Sequence, residues 1–133
     1  MPESVLIDSS CWIEFFRGAQ PELTRLIQKL LSDDRVVICG PVYVEVLGSC
    51  KHRKESQTVA RYYDEFPFLD LTREDFREAS YLRQQLRKKG ETVATVDLLI
   101  AYLAIKNKCT LLHQDSDFDR IAKYSSLKTL RIT

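Results

Sequence analysis

Four carboxylates stand in company that carboxylates ordinarily avoid. Asp8 comes directly after Val5-Leu6-Ile7, and Glu45 interrupts the run Val42-Tyr43-Val44-Glu45-Val46-Leu47. Asp97 heads the apolar stretch Leu98 to Ile105, and Asp115 lies just past Leu111-Leu112. Acids enter a protein interior when they are paired, hydrogen-bonded or bound to a cation. If these four converge, two charges ~5 Å apart repel by about 3 kcal/mol at an effective dielectric of ~20. Summed over every pair, that load rivals the net stability of a domain. Such a cluster either retains protons or gathers around a hard divalent cation. Ligation by oxygen alone, without a Cys or His cluster nearby, favours Mg²⁺ or Mn²⁺ over zinc. Taken singly, each residue has a plainer reading. Asp97 suits a helix N-terminus, Glu45 a solvated face, Asp8 and Asp115 turns, and Ser9 and Ser10 helix caps. The joint pattern tips the balance towards a site.

Those acids need elements to carry them. Val5-Leu6-Ile7 reads as a buried strand delivering Asp8 at its carboxyl end, where open α/β sheets form their sites. Ser10 is placed to cap a short helix containing Trp12, Ile13, Phe15 and Phe16 that ends near Gly18. Pro21, at a first helical position where a missing N–H costs nothing, opens a second helix. Its Leu23, Leu26, Ile27, Leu30 and Leu31 share one face. Val36–Cys39 is a second buried strand, and Gly40-Pro41 starts the helix carrying Glu45 despite its β-branched content. The basic run Lys51-His52-Arg53-Lys54 leads into a helix with Val59, Ala60, Tyr62, Tyr63 and Phe66. Pro67 to Leu71 is expected to form a third strand.

Thr72 and Asp75 have the spacing of a capping box, ahead of a stripe of Phe76, Ala79, Leu82 and Leu86. Lys88-Lys89-Gly90 suits the end of that helix. Thr95 is placed to cap the helix bearing Asp97, which is apolar nearly all round and therefore buried. Cys109–Leu112 is a fourth strand closed by the turn His113–Asp119, and a short helix and a last strand near Leu127–Ile132 finish the chain. Strands alternating with helices imply an α/β fold. The expectation is a Rossmann-like three-layer α/β/α sandwich on a mostly parallel sheet of roughly five strands, in one domain over residues 1–133.

The chain's 133 residues suffice for a real core, and its net charge of +1 excludes the tight, salt-driven, nonspecific nucleic-acid binding of a basic protein. A local basic patch remains compatible with that balance. Cys11, Cys39, Cys50 and Cys109 have no CxxC spacing, and the amino terminus does not read as a signal peptide. Buried, reduced thiols in a cytoplasmic protein are expected. No apolar run is long enough to span a bilayer.

Spacing removes several chemistries. Asp115-x-Asp117-x-Asp119 imitates the start of a calcium loop, but Arg120 and Ser126 occupy the positions where that loop needs Gly and Glu. A Gly-rich phosphate loop, a GxSxG elbow and a dinucleotide fingerprint are all missing. Asp8-Ser9-Ser10 lacks the second acid of an aspartyl-phosphate phosphatase. The stretch Ile7-Asp8-Ser9-Ser10-Cys11-Trp12-Ile13-Glu14-Phe15-Phe16-Arg17-Gly18 resembles the opening of a PIN domain, in particular that of the VapC ribonuclease toxins of bacterial toxin–antitoxin pairs. Val44-Glu45-Val46-Leu47-Gly48, Val96-Asp97-Leu98-Leu99-Ile100-Ala101 and Leu112-His113-Gln114-Asp115-Ser116-Asp117-Phe118 resemble that family's later acidic motifs, in its order and spacing.

The resemblance implies an endoribonuclease in which Asp8, Glu45, Asp97 and Asp115 hold one or two Mg²⁺ or Mn²⁺ ions. Ser9 and Ser10 would support the site, and Asp117 would serve as an outer ligand or, more simply, a helix cap. His113 departs from the small hydroxyl residue usual in the fourth motif. The implied reaction is hydrolysis of RNA, the cation shielding the phosphate and acidifying a water, with 5′-phosphate and 3′-hydroxyl products. It also implies a VapB-like antitoxin partner and a homodimer. Arg17, and with less weight Lys51, His52, Arg53 and Lys54, are candidate phosphate contacts; Tyr62 and Tyr63 are candidate stacking platforms. Two other readings stand beside this one: a metal-independent ribonuclease using His52 and His113, and a receiver-like or degenerate PIN-like binding module that does not cut.

Overall fold

The computed structural model describes residues 3–132. In chain order the elements are β1 (Val5–Ile7), α1 (Ser9–Arg17), α2 (Pro21–Ser32), β2 (Val36–Cys39), α3 (Gly40–Gly48) and α4 (Arg53–Tyr63). They continue with β3 (Phe68–Leu69), α5 (Arg73–Lys88), α6 (Thr95–Lys106), β4 (Thr110–His113), α7 (Ser116–Lys123) and β5 (Lys128–Arg131). The strands form one sheet in the order β3-β2-β1-β4-β5, and every pairing is parallel. Parallel neighbours require long crossovers, which the helices supply. Successive strand residues face opposite sides. All of β1 and β2 is buried nonetheless, so helices cover both faces of the sheet. That is why these strands read as unbroken apolar runs and not as alternations.

The chain winds outward from β1 to β3, then crosses back to place β4 on the other side of β1. This reversal opens a crevice at the carboxyl ends of β1 and β4, the topological switch point where α/β proteins bind ligands. Asp8 continues the ladder there, its N–H donating to Leu112 O at 2.9 Å. Beneath it the core is held by Leu6, Ile7, Trp12, Ile38, Ile100, Leu103, Leu111, Leu112 and Phe118, all fully buried. Trp12 is the hub of an aromatic cluster, with its ring centroid 5.1 Å from Tyr63 and 5.7 Å from Phe16. Tyr63 is therefore core, while Tyr62 keeps partial exposure.

Several local expectations are corrected. Asp8, not Ser10, is the N-cap residue of α1, and Ala94, not Thr95, precedes α6; neither makes a side-chain cap bond. Ser10 Oγ instead donates to Asp8 Oδ2 at 3.0 Å, and Thr95 Oγ1 accepts from Arg83. The α4 helix stops at Tyr63, leaving Phe66 in the following turn. The expected stripe on α5 holds for Ala79 and Leu86, but Phe76 faces solvent. The Thr72–Asp75 capping box is present. Its Asp75 is also buried, where it accepts from Lys106 Nζ at 2.6 Å and Tyr102 Oη at 2.8 Å. Gly18 closes α1 at φ 69°, a left-handed turn that glycine enters without a Cβ penalty. Of the cysteines, Cys11, Cys39 and Cys109 are buried, and all four are free thiols. Among the described residues no helix is long and apolar enough to cross a membrane.

Candidate active site

Three helices begin at the crevice, and each brings an acid with it. Asp8 is the N-cap residue of α1, Asp115 that of α7, and Asp97 lies in the first turn of α6. The positive end of a helix dipole favours a carboxylate in each of these positions. Glu45 comes from the middle of α3, which packs against α1 and α6. Ser9 Oγ bridges the two chain segments by donating to Glu45 Oε1 at 2.9 Å. Asp8, Ser9, Ser10, Glu45, Asp97 and Asp115 thus line one cleft of about 780 Å³, together with Gln114, Ser116 and Arg131.

The carboxyls feel one another. Burial pushes the Asp8 carboxyl above its ordinary range, and Glu45 adds to the push; the Ser10 hydroxyl and the Ser9 and Ser10 N–H groups oppose it. Asp97 is pushed up to about 6, first by burial and then by the charges of Asp8, Asp115, Asp117 and Glu45. One carboxylate oxygen from each of Asp97, Asp115 and Asp117 lies within 4.8 Å of the others. Carboxyls gathered this closely, Asp8 and Asp97 among them with raised proton affinity, are poised for neutralisation by a proton or a cation. The donors are all oxygen, which fits a hard divalent ion such as Mg²⁺ or Mn²⁺.

Asp115 is held from two sides. Its carboxylate accepts from Asp117 N–H at 2.9 Å, so Asp115, and not Asp117, caps α7. Its own N–H donates to His113 Nδ1 at 3.1 Å. His113 is fully buried, and burial lowers its proton affinity. A neutral imidazole that accepts at Nδ1 carries its proton on Nε2, which faces Asp119 Oδ1 at 3.5 Å. That burial removes His113 from contact with substrate and with it the two-histidine ribonuclease; His52 sits exposed at the start of α4. Asp117 pairs with Arg120, whose other arm donates to Glu91 Oε2 at 2.9 Å. Arg83 ties α5 to Val93 O and Thr95 Oγ1. The segment leading into α6 is thereby braced from both α5 and α7, which fixes where Asp97 enters the cleft.

Thiol chemistry has no place at this site. Burial, with Asp8 adding to it, pushes Cys11 up to about 12, and burial does the same to Cys39.

The expected substrate contacts lie elsewhere. Arg17 pairs with Glu14 at 2.9 Å, and Arg17 and Lys51 line a separate groove of about 360 Å³ between α1, α3 and α4. Arg53 is exposed at the start of α4 and lines neither cavity. The cation that does line the acidic cleft is Arg131, on the last strand. Its position carries no motif and shows only through the pairing of β5 with β4.

Comparison with known proteins agrees with this geometry. The PIN domain family model matches residues 5–124. The chain is 34% identical over 128 residues to "VapC ribonuclease Mb1587" of Mycobacterium bovis and to "Ribonuclease VapC11" of Mycobacterium tuberculosis, covering 93% of this chain and 96% of each relative. In structure it is similar to VapBC2 from Rickettsia felis bound to a DNA fragment from its promoter, with a TM-score of 0.79 at 16% identity over 97% of this chain and 98% of that one. It is also similar to FitAcB from Neisseria gonorrhoeae, with a TM-score of 0.76 at 15% identity over 96% of both chains. Matched along most of its length in sequence and in fold, the chain belongs to the PIN domain family.

Proposed function

We propose that this protein is a metal-dependent endoribonuclease of the VapC type, the toxin of a type II toxin–antitoxin pair. The observation that carries the reading is the meeting of Asp8, Glu45, Asp97 and Asp115, from four separate elements, in one cleft at the switch point of the sheet. These four would hold the cation, with Asp117 at the margin and Ser9 and Ser10 orienting Glu45 and Asp8. When bound, Mg²⁺ or Mn²⁺ supplies charge neutralisation at the scissile phosphate and acidifies a water for in-line attack. The chain's own work is positional. Ser10 fixes the Asp8 carboxylate, Ser9 fixes Glu45, and His113 and the α7 N-terminus fix Asp115. Asp97 keeps its proton up to about 6 while the cleft holds no cation, and as a ligand it would give that proton up when the cation binds.

The reading includes an RNA substrate, a VapB-like antitoxin, a homodimer and a cytoplasmic location. Relatives at 34% identity are named ribonucleases, and the structural neighbours come from toxin–antitoxin complexes. Buried thiols suit a reducing compartment. The test is cleavage of total RNA by the purified protein with Mn²⁺, with excess EDTA, and with Asp97→Asn. Cleavage by the wild type alone, and only with the cation, is expected, leaving 5′-phosphate ends. Equal cutting by wild type and Asp97→Asn, or full activity in EDTA, would overturn the assignment. RNA binding without turnover would identify a degenerate binding module.

A further inference from the structure

A cleft walled by carboxylates repels the phosphates of an RNA strand, and a cation between the acids answers that only at the scissile group. The strand needs a second positive contact, and the structure offers one in the cleft wall. Arg131 ends β5, paired in register with His113 at the carboxyl end of β4, so it stands level with the mouth of the crevice. Its Nη1 donates to Asp119 Oδ2 at 2.7 Å, and the other oxygen of Asp119 faces buried His113 Nε2 at 3.5 Å. His113 in turn accepts the Asp115 N–H. Asp119 and His113 thus stand in line behind the guanidinium, with hydrogen bonds closing the Arg131–Asp119 and Asp115–His113 steps but not the one between them. A guanidinium has five N–H donors in a planar fork, and the Asp119 contact uses one edge of it. The side chain remains about 43% exposed, on the cleft.

We propose that Arg131 is the phosphate-binding residue of this cleft, held by Asp119 to receive a backbone phosphate of single-stranded RNA next to the scissile one. Arginine matches phosphate oxygens with paired N–H donors, and clamping by a carboxylate reduces the side-chain freedom lost on binding. The inference rests on the nuclease reading above, but its test does not depend on turnover.

The test measures binding of a fluorescein-labelled oligouridylate by anisotropy across a salt series, using wild type, Arg131→Gln, Arg131→Lys and Asp119→Asn. All four proteins are first compared by circular dichroism and Tm. Arg131→Gln is expected to weaken binding about tenfold, the scale of one charge-assisted hydrogen bond. It is also expected to lower the slope of log K against log salt by about 0.7, one phosphate contact on a single strand. Arg131→Lys should keep the slope while recovering only part of the affinity. Asp119→Asn, which leaves the guanidinium in place but loosens its hold, should lose affinity without losing slope. Wild-type affinity and slope in folded Arg131→Gln would overturn the proposal while leaving the nuclease reading intact. Wild-type cleavage by Asp97→Asn would instead overturn the nuclease reading. A loss in Arg131→Gln that Arg131→Lys shares in full, slope included, would assign Arg131 to packing of β5 and also defeat the proposal.

Discussion

Replacing Asp97 by Asn is expected to stabilise the cation-free protein while abolishing its activity. The folded protein holds the Asp97 proton up to about 6, against an ordinary value of 3.8. Folding therefore takes up a proton here between those two values, and this carboxyl's contribution to stability falls as pH rises through that window. Near pH 7.5 the full difference corresponds to at most about 3 kcal/mol. Asp97 is partly exposed, so solvent screening reduces this to about 1–2 kcal/mol. Asn keeps the shape and removes the charge. For a chain of this size the gain is a rise in Tm of about 3–8 °C, read by calorimetry in EDTA near pH 7.5 and shrinking towards zero near pH 4. Added Mn²⁺ is expected to reverse the order. At about a hundredfold excess over Kd it stabilises the wild type by about 2.7 kcal/mol, and the variant, short of one ligand, by much less. An Asp97→Asn protein that melts no higher than wild type in EDTA, or a gain of equal size at both pH values, would refute the electrostatic crowding. Equal Mn²⁺ shifts in the two proteins would refute the role of Asp97 as a ligand.

Three further perturbations probe the surroundings. Ser9→Ala removes the bond that holds Glu45 Oε1 at 2.9 Å, and Mn²⁺ affinity measured by calorimetric titration is expected to fall about tenfold, the scale seen for outer-shell partners, with little change in Tm. Asp75 accepts from Lys106, Tyr102 and Thr72, and the Lys106 contact foremost holds its carboxyl below the ordinary carboxylate range. Its stabilisation is complete above the unfolded value of 3.8 and is lost as pH falls towards the folded one. Asp75→Asn is therefore expected to flatten the acid limb of the Tm–pH curve. Trp12→Ala empties the centre of the aromatic cluster and is expected to cost about 3–5 kcal/mol, lowering Tm by about 10–20 °C in a scan of the purified protein.

Much of this molecule could be read from local sequence. Val5–Ile7 and Val36–Cys39 are strands because short, β-branched apolar runs are stable only when covered on both faces. The α2 stripe and the α5 capping box depend on spacings of three and four residues that a chain carries wherever it folds. The acids stood out for a similarly local reason, since a carboxylate among apolar neighbours signals a compensating partner. Caps were less legible. Ser10 and Thr95 have the right chemistry for an N-cap, yet their hydroxyls are used by Asp8 and Arg83. Local propensity cannot anticipate that competition.

The tertiary structure alone decided which charges share a space. Arg17 lies close to Asp8 in the chain and faces another groove, whereas Arg131, at the far end of the chain, reaches the same cleft through β5. Asp75 gave the sequence signal of a capping box and became a buried partner of Lys106 only when α5 packed on α6. Periodicity and capping act over a turn or two of backbone, so neighbours in sequence suffice to read them. Coulomb forces and hydrogen bonds act over a few ångströms of space, and strand order sets which distant residues come within that reach.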